Sequence, residues 1–126
     1  AHGLAERSFN VPNNLNTKFN LASVGKMFTA TAIAQLVKQG KISYDDKLIK
    51  HLPDFPNKAA AEKITIHQLL THTAGLGTLF YSPGYERLRR YRSSWDEINA
   101  FKDEPLFFEP GAQWRYSNAG FVTLGA

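Results

Sequence analysis

The chain has 126 residues, 43% hydrophobic and 21% charged, with a net charge of +4 and no cysteine. That length fits one domain with a core of its own, and the composition excludes wholesale disorder. The missing thiols exclude a disulfide framework and a thiolate metal site. The longest mostly apolar run, Phe28 to Val37, is too short and too broken by Thr and Gln to span a bilayer. Much of the positive charge sits in Arg87, Arg89, Arg90 and Arg92. A run this short reads as a solvated loop or helix face, so no nucleic-acid partner is expected.

Chain order gives the elements. The segment starts at Ala1 without a charged-then-apolar targeting stretch, and residues 1 to 9 supply one strand. Val11 to Thr17, rich in Pro and Asn, reads as a connection. From Lys26 to Lys38 apolar residues cover most of a helix circumference, which predicts a buried helix ended by Gly40. Asp45 and Asp46 are adjacent, so they cannot share a face as an acid/base pair and suit turn and capping roles. Ile64-Thr65-Ile66 leads into a short helix over His67 to Thr73, stopped by Gly75. Ser94-Trp95-Asp96-Glu97 reads as a capping box opening a helix from Trp95 to Lys102. Pro110-Gly111 is a turn. The apolar stretch from Phe121 to Ala126 reads as a helix interrupted in mid-course, so a single partial domain trimmed at both ends is expected.

Two constellations carry candidate chemistry. In Ser23-Val24-Gly25-Lys26 a serine precedes the helix, with its hydroxyl at the positive end of the helix dipole. Lys26 lies on the same face three residues on, and a lysine desolvated by an apolar wall can act as a base toward the serine. The plain alternative is an N-cap serine with an exposed first-turn lysine, although the apolar helix leaves little room for that. Gly25-Lys26 does not belong to a phosphate-binding loop, which needs Gly at position 20 and Ser or Thr at 27 where this chain has Asn20 and Met27. In Tyr116-Ser117-Asn118 the phenol can carry a proton and the amide can orient a substrate. Taken singly, Tyr116 also suits a half-buried core aromatic and Asn118 a helix cap. His67 and His72, five apart with no glutamate between them, do not make a zinc helix pattern, and no metal site is expected.

Together the motifs resemble the serine β-lactamase and penicillin-binding superfamily, in its class C β-lactamase, DD-peptidase and carboxylesterase group. The resemblance runs through four ordered segments: Phe19 to Ser23 with Lys26, Phe28 and Thr29; Gly40 to Asp46 followed by Leu52-Pro53; Ile64 to Ile66 with Leu69 to Leu76; and Phe108 to Gly111 leading to Trp114, Tyr116, Ser117 and Asn118. It implies an α+β fold, here mostly the helical lobe with one or two strands of the antiparallel sheet. It implies an acylated nucleophile at Ser23, a basic partner at Lys26, a proton carrier at Tyr116 and a substrate-orienting amide at Asn118. No cofactor is implied, and the substrate is a β-lactam, an ester or a D-amino-acid peptide. A non-catalytic binding or sensor module on the same fold is the other reading. The compartment stays open: periplasmic or extracellular for a β-lactamase or DD-peptidase, cytoplasmic for an esterase. The family's third element, a Lys-Thr-Gly or His-x-Gly on a later strand, is expected beyond Ala126. On that expectation these residues alone are a poor catalyst and prone to self-association.

Overall fold

Alternation in this chain is too brief to build more than a ribbon of sheet. The computed structural model describes residues 1–126. In it β1 (Leu4–Glu6) pairs antiparallel with β2 (Val11–Pro12), Leu4 opposite Pro12 and Glu6 opposite Val11. The Glu6 carboxylate holds the turn by accepting the N–H groups of Ser8 and Phe9. The strand expected in residues 1 to 9 is present. Val11 and Pro12 are not connection, however: the tight turn returns them beside β1, and the loop begins after them.

A 3-10 turn, Ala22–Val24, runs without a break into α1 (Gly25–Lys38). The helix ends as Gly40 predicts. Gly40, at φ 69°, donates to the Val37 carbonyl and Lys41 donates to the Leu36 carbonyl, the paired bonds of a Schellman motif. The expected burial of α1 is corrected. Only Ile33 is buried, while Met27 is 67% and Phe28 70% exposed. The cause is one-sided packing: Ile33 and the half-buried Leu36 turn toward Leu48, Ile66, Leu69 and Leu124, and the opposite apolar face meets solvent.

Three short helices follow: α2 (Leu48–His51), α3 (Lys58–Ala61) and α4 (Ile66–Leu70). Helices this short depend on caps and tertiary contacts, since isolated helices of that length are marginal. Asn57 accepts the Ala60 N–H, and Thr65 with Gln68 forms a complete capping box. That box starts α4 one residue before the expected His67. The helix also stops short of the expected Thr73, because His72 adopts a left-handed backbone at φ 60° and turns the chain out of the helix. Asp46 has the turn role expected of it, accepting the Ser43 N–H, the Lys50 ammonium and His51 Nε2. Those partners, Lys50 first, hold its carboxyl far below the usual carboxylate range.

α5 (Ser94–Phe101) and α6 (Asn118–Leu124) complete the chain. Ser93, not Ser94, caps α5: its extended backbone presents Oγ to the Asp96 N–H, while Ser94 is already helical. The arginines from Arg87 to Arg92 are exposed, with Arg89 3.6 Å from Glu86 and over the Tyr91 ring. α6 packs against α4 and α5 and touches α1, with Ala119, Ile98, Phe101, Ile66 and Leu69 in the core. It is the helix on which α1, α4 and α5 meet. No helix is long and apolar enough to cross a membrane.

The exposed side of α1 continues through Val24, Leu21 and Phe19, all more than half exposed. Contiguous apolar surface of this kind drives association. These 126 residues in isolation are expected to scatter light as oligomers, well above the 14.1 kDa of one chain. Joint replacement Met27→Gln and Phe28→Gln should shift the population toward monomer. A parent chain that stays monomeric at high concentration would remove the patch as a driver.

Candidate active site

The 3-10 turn puts Ser23 at the N-terminal mouth of α1, and backbone strain marks the spot. Ala22, just before it, has φ 45°, a left-handed conformation costly for a residue with a Cβ. The Asn20 side chain steadies that turn by accepting the Ala22 N–H at 2.8 Å. The Ser23 N–H itself donates to no acceptor in the chain.

The four residues singled out from sequence converge here. Ser23 Oγ lies 2.7 Å from Tyr116 Oη. Lys26 Nζ donates to Asn118 Oδ1 at 2.7 Å and, over a longer 3.4 Å, to Ser23 Oγ. The same ammonium sits 4.9 Å from the centre of the Tyr116 ring and 5.6 Å from that of Phe121. The apolar wall expected around Lys26 is thus replaced by an amide oxygen and two aromatic faces, surroundings that suit a cation. The Lys26 ammonium, then the Ser23 hydroxyl, hold the Tyr116 phenol below its ordinary value of 10.0, against a smaller opposing effect of desolvation. Asn20, Ala22 and Phe80 join these four side chains in lining an open cleft of about 600 Å³.

Two residues that sequence reasoning left aside complete the support. Ser117 is the N-cap of α6: its Oγ accepts the Gly120 N–H at 3.0 Å and donates to the Gly77 carbonyl at 2.6 Å. Such a cap is worth about 1 kcal/mol, and here it also fastens the helix to the 77–78 segment. Asn118, read as a possible cap, is instead the first helical residue, free to bond Lys26 and, through Nδ2, the Thr78 carbonyl. A serine just before the apolar run from Ala119 was the available signal for the cap. His72 is the second. Its Nδ1 accepts the Ser117 N–H at 3.2 Å, and its ring packs on Tyr116, Trp114 and Phe121. Burial, then the nearby Lys26 charge, holds its pKa below the ordinary histidine value.

Gly75 and Gly77 let the supporting segment lie flat on its neighbour. At Gly75, where φ is +81°, a Cβ would stand 2.3 Å from the Phe108 carbonyl oxygen; at Gly77 it would meet the Glu104 carboxylate at 2.8 Å. Chemically, the site offers a serine hydroxyl bonded to a group able to take its proton, a cation beside both, and a free N–H at the nucleophile. These are groups of the kind that acyl transfer to a serine uses.

The chain resembles known proteins over its whole length. A family model described as Beta-lactamase matches residues 1–126. The chain is 35% identical to penicillin-binding protein 4* of Bacillus subtilis, over 97% of its own length and 27% of that protein's. It is 39% identical to esterase EstB of Burkholderia gladioli, over 100% of its own length and 35% of the esterase. Among solved structures, a penicillin-binding protein from Bacillus halodurans superposes with a TM-score of 0.78 at 38% identity, covering 98% of this chain and 37% of that one. The D-amino acid amidase of Ochrobactrum anthropi SV3 gives 0.81 at 26% identity, covering 98% and 33%. The chain therefore spans roughly a third of the length of these relatives, and its fold is of the β-lactamase/transpeptidase type. It belongs to the Beta-lactamase family.

Proposed function

We propose that the protein carrying this segment is an active-site-serine hydrolase working through an acyl-enzyme on Ser23. The observation that carries this reading is the 2.7 Å bond between Ser23 Oγ and Tyr116 Oη. Ser23 Oγ attacks the substrate carbonyl carbon while its proton passes to Tyr116 in its phenolate form, which the lowered phenol pKa makes more accessible. The developing oxyanion is met by the unpartnered Ser23 N–H. The bond to the leaving group then breaks, and Tyr116 returns the proton to that group, leaving an ester on Ser23. Water, giving a proton to the Tyr116 phenolate in turn, attacks the ester carbonyl; the bond to Ser23 Oγ breaks, Tyr116 returns that proton to Oγ, and the acid leaves. Lys26 Nζ stays within reach of both Ser23 Oγ and the Tyr116 ring, and Asn118 holds Lys26 while facing the substrate. The substrate class is an ester, a β-lactam or a D-amino-acid amide or peptide, in keeping with the esterase, penicillin-binding protein and amidase among the relatives.

The test uses the natural full-length protein and a covalent probe, either a fluorophosphonate or a fluorescent penicillin. Ser23→Ala should abolish labelling with little change in melting temperature, since any cap the hydroxyl supplies is worth only about 1 kcal/mol. Undiminished labelling would move the nucleophile elsewhere, and a parent protein that takes neither probe would favour a non-catalytic binding module.

A second variant separates the proton carrier from the nucleophile. Tyr116→Phe keeps the ring and removes the hydroxyl, so turnover should fall on the order of a hundredfold or more. The pH profile adds a signed check. A phenol with a lowered pKa is more fully ionised at any given pH, so kcat/KM in the parent should rise with pH through an ionisation below 10.0. That limb should vanish in Tyr116→Phe; a limb that persists would assign the ionisation to another group.

A further inference from the structure

The polar contacts of the Tyr116 phenol, Ser23 Oγ at 2.7 Å and the nearby Lys26 Nζ, both come from the Ser23–Lys26 turn, and the residue is partly exposed at 37%. Contacts at the tip do not by themselves fix the ring relative to its own segment of chain. Something else must set the ring. The residues on either side of it are both held by one histidine: His72 accepts the Arg115 N–H on its carbonyl oxygen at 3.0 Å and the Ser117 N–H on Nδ1 at 3.2 Å. Between these two bonds the imidazole lies against the Tyr116 ring, centroids 4.6 Å apart and planes tilted by 39°.

We propose that His72 is the positioning residue of Tyr116, clamping it from both flanks and from one face so that the phenol meets Ser23. This rests on the reading of Tyr116 as proton carrier. The geometry demands a neutral imidazole, because Nδ1 can accept the Ser117 N–H only when it carries no proton of its own. It also explains the unusual backbone at this residue. The left-handed φ of 60° turns the His72 carbonyl and side chain toward the same strip of chain, something a helical residue at the end of α4 does not do. Strain of this sort persists where the surroundings over-determine it, and three contacts to residues 115–117 do so here.

The clamp has a size. A displacement of about 1 Å at a reacting group costs on the order of a hundredfold in rate, so loosening Tyr116 should cost between about tenfold and that amount. Two substitutions divide the histidine into parts. His72→Phe keeps a ring against Tyr116 but has no acceptor for the Ser117 N–H. His72→Asn keeps an acceptor near the place of Nδ1 and tolerates the left-handed backbone, but has no ring.

The experiment is run on the full-length protein with Cζ-¹³C-labelled tyrosine. The Tyr116 signal is assigned by its loss in Tyr116→Phe. Its phenol titration is followed by NMR, and the rate of acylation by a fluorophosphonate is measured alongside. In the parent the phenol should titrate below its ordinary value. In His72→Phe it should move back toward 10.0 as Tyr116 drifts from Lys26 and Ser23, and acylation should fall tenfold or more. His72→Asn should recover part of both. A folded His72→Phe with unchanged phenol titration and unchanged acylation would overturn the proposal. If His72→Phe does not fold, His72→Ala takes its place, and a folded His72→Asn that does no better than His72→Ala on either readout has the same effect. Failure of the underlying reading looks different: Tyr116→Phe would then acylate at the parent rate, while the phenol titration would still report whether His72 holds the ring.

Discussion

The strip from His72 to Thr78 is a row of main-chain acceptors, and the second half of the site hangs from it. Carbonyl oxygens of His72, Thr73 and Gly75 take the N–H groups of Arg115, Gly111 and Phe107. Those of Gly77 and Thr78 take the Ser117 hydroxyl and the Asn118 amide. Main-chain acceptors have no rotamers to lose, so the segment that receives these bonds inherits their precision. Gly75 allows that strip to sit against the Phe108 backbone more closely than a Cβ would permit, and Gly77 leaves room for the Glu104 and Phe107 side chains. Tyr116 and Asn118 are therefore located by backbone, and only their last few ångströms are left to side-chain bonds.

The electrostatic side of the site is built from few parts. One ammonium, Lys26, touches an amide oxygen, lies near two aromatic faces and reaches the serine. It lowers the phenol of Tyr116 and contributes to keeping His72 neutral. A single charged group thereby biases two titrating groups downward: the phenol is held below its ordinary value, and the imidazole, already disfavoured as a cation by burial, is left to accept a hydrogen bond. The strained Ala22 and the open Ser23 N–H set a serine hydroxyl at a helix mouth, where partial positive charge accumulates.

Much of this was legible in the sequence, and the parts that were not share a cause. Ser23 with Lys26 and Tyr116 with Asn118 are short-range patterns, and their order along the chain carried the family resemblance. The helices α1, α4, α5 and α6 were signalled by apolar spacing, caps and Gly40, whereas α2 and α3, about one turn each, are too short to show a period and were not legible as helices. Boundaries slipped where two adjacent residues competed for one role, as Ser93 and Ser94 did at α5, because only backbone geometry decides which is the cap. The burial of α1 was misjudged because apolar spacing reports what a helix can cover, whereas exposure depends on which neighbours are present. His72 was noticed only as a residue outside any zinc pattern, and its contacts with Tyr116 and Ser117 were not legible for a third reason. Those partners lie more than forty residues away, and a left-handed backbone at one histidine leaves no local pattern.

The hydrogen bonds that bring α1 to the rest of the molecule have a consequence of their own. From the 3-10 turn and α1 only Ser23–Tyr116 and Lys26–Asn118 reach other parts of the chain; the remaining attachment is apolar contact on one side of the helix. The atoms that meet in the cleft are thus also the rivets of the helix. With either bond lost, a single hydrogen bond would tie the mouth of α1 to the second half of the chain.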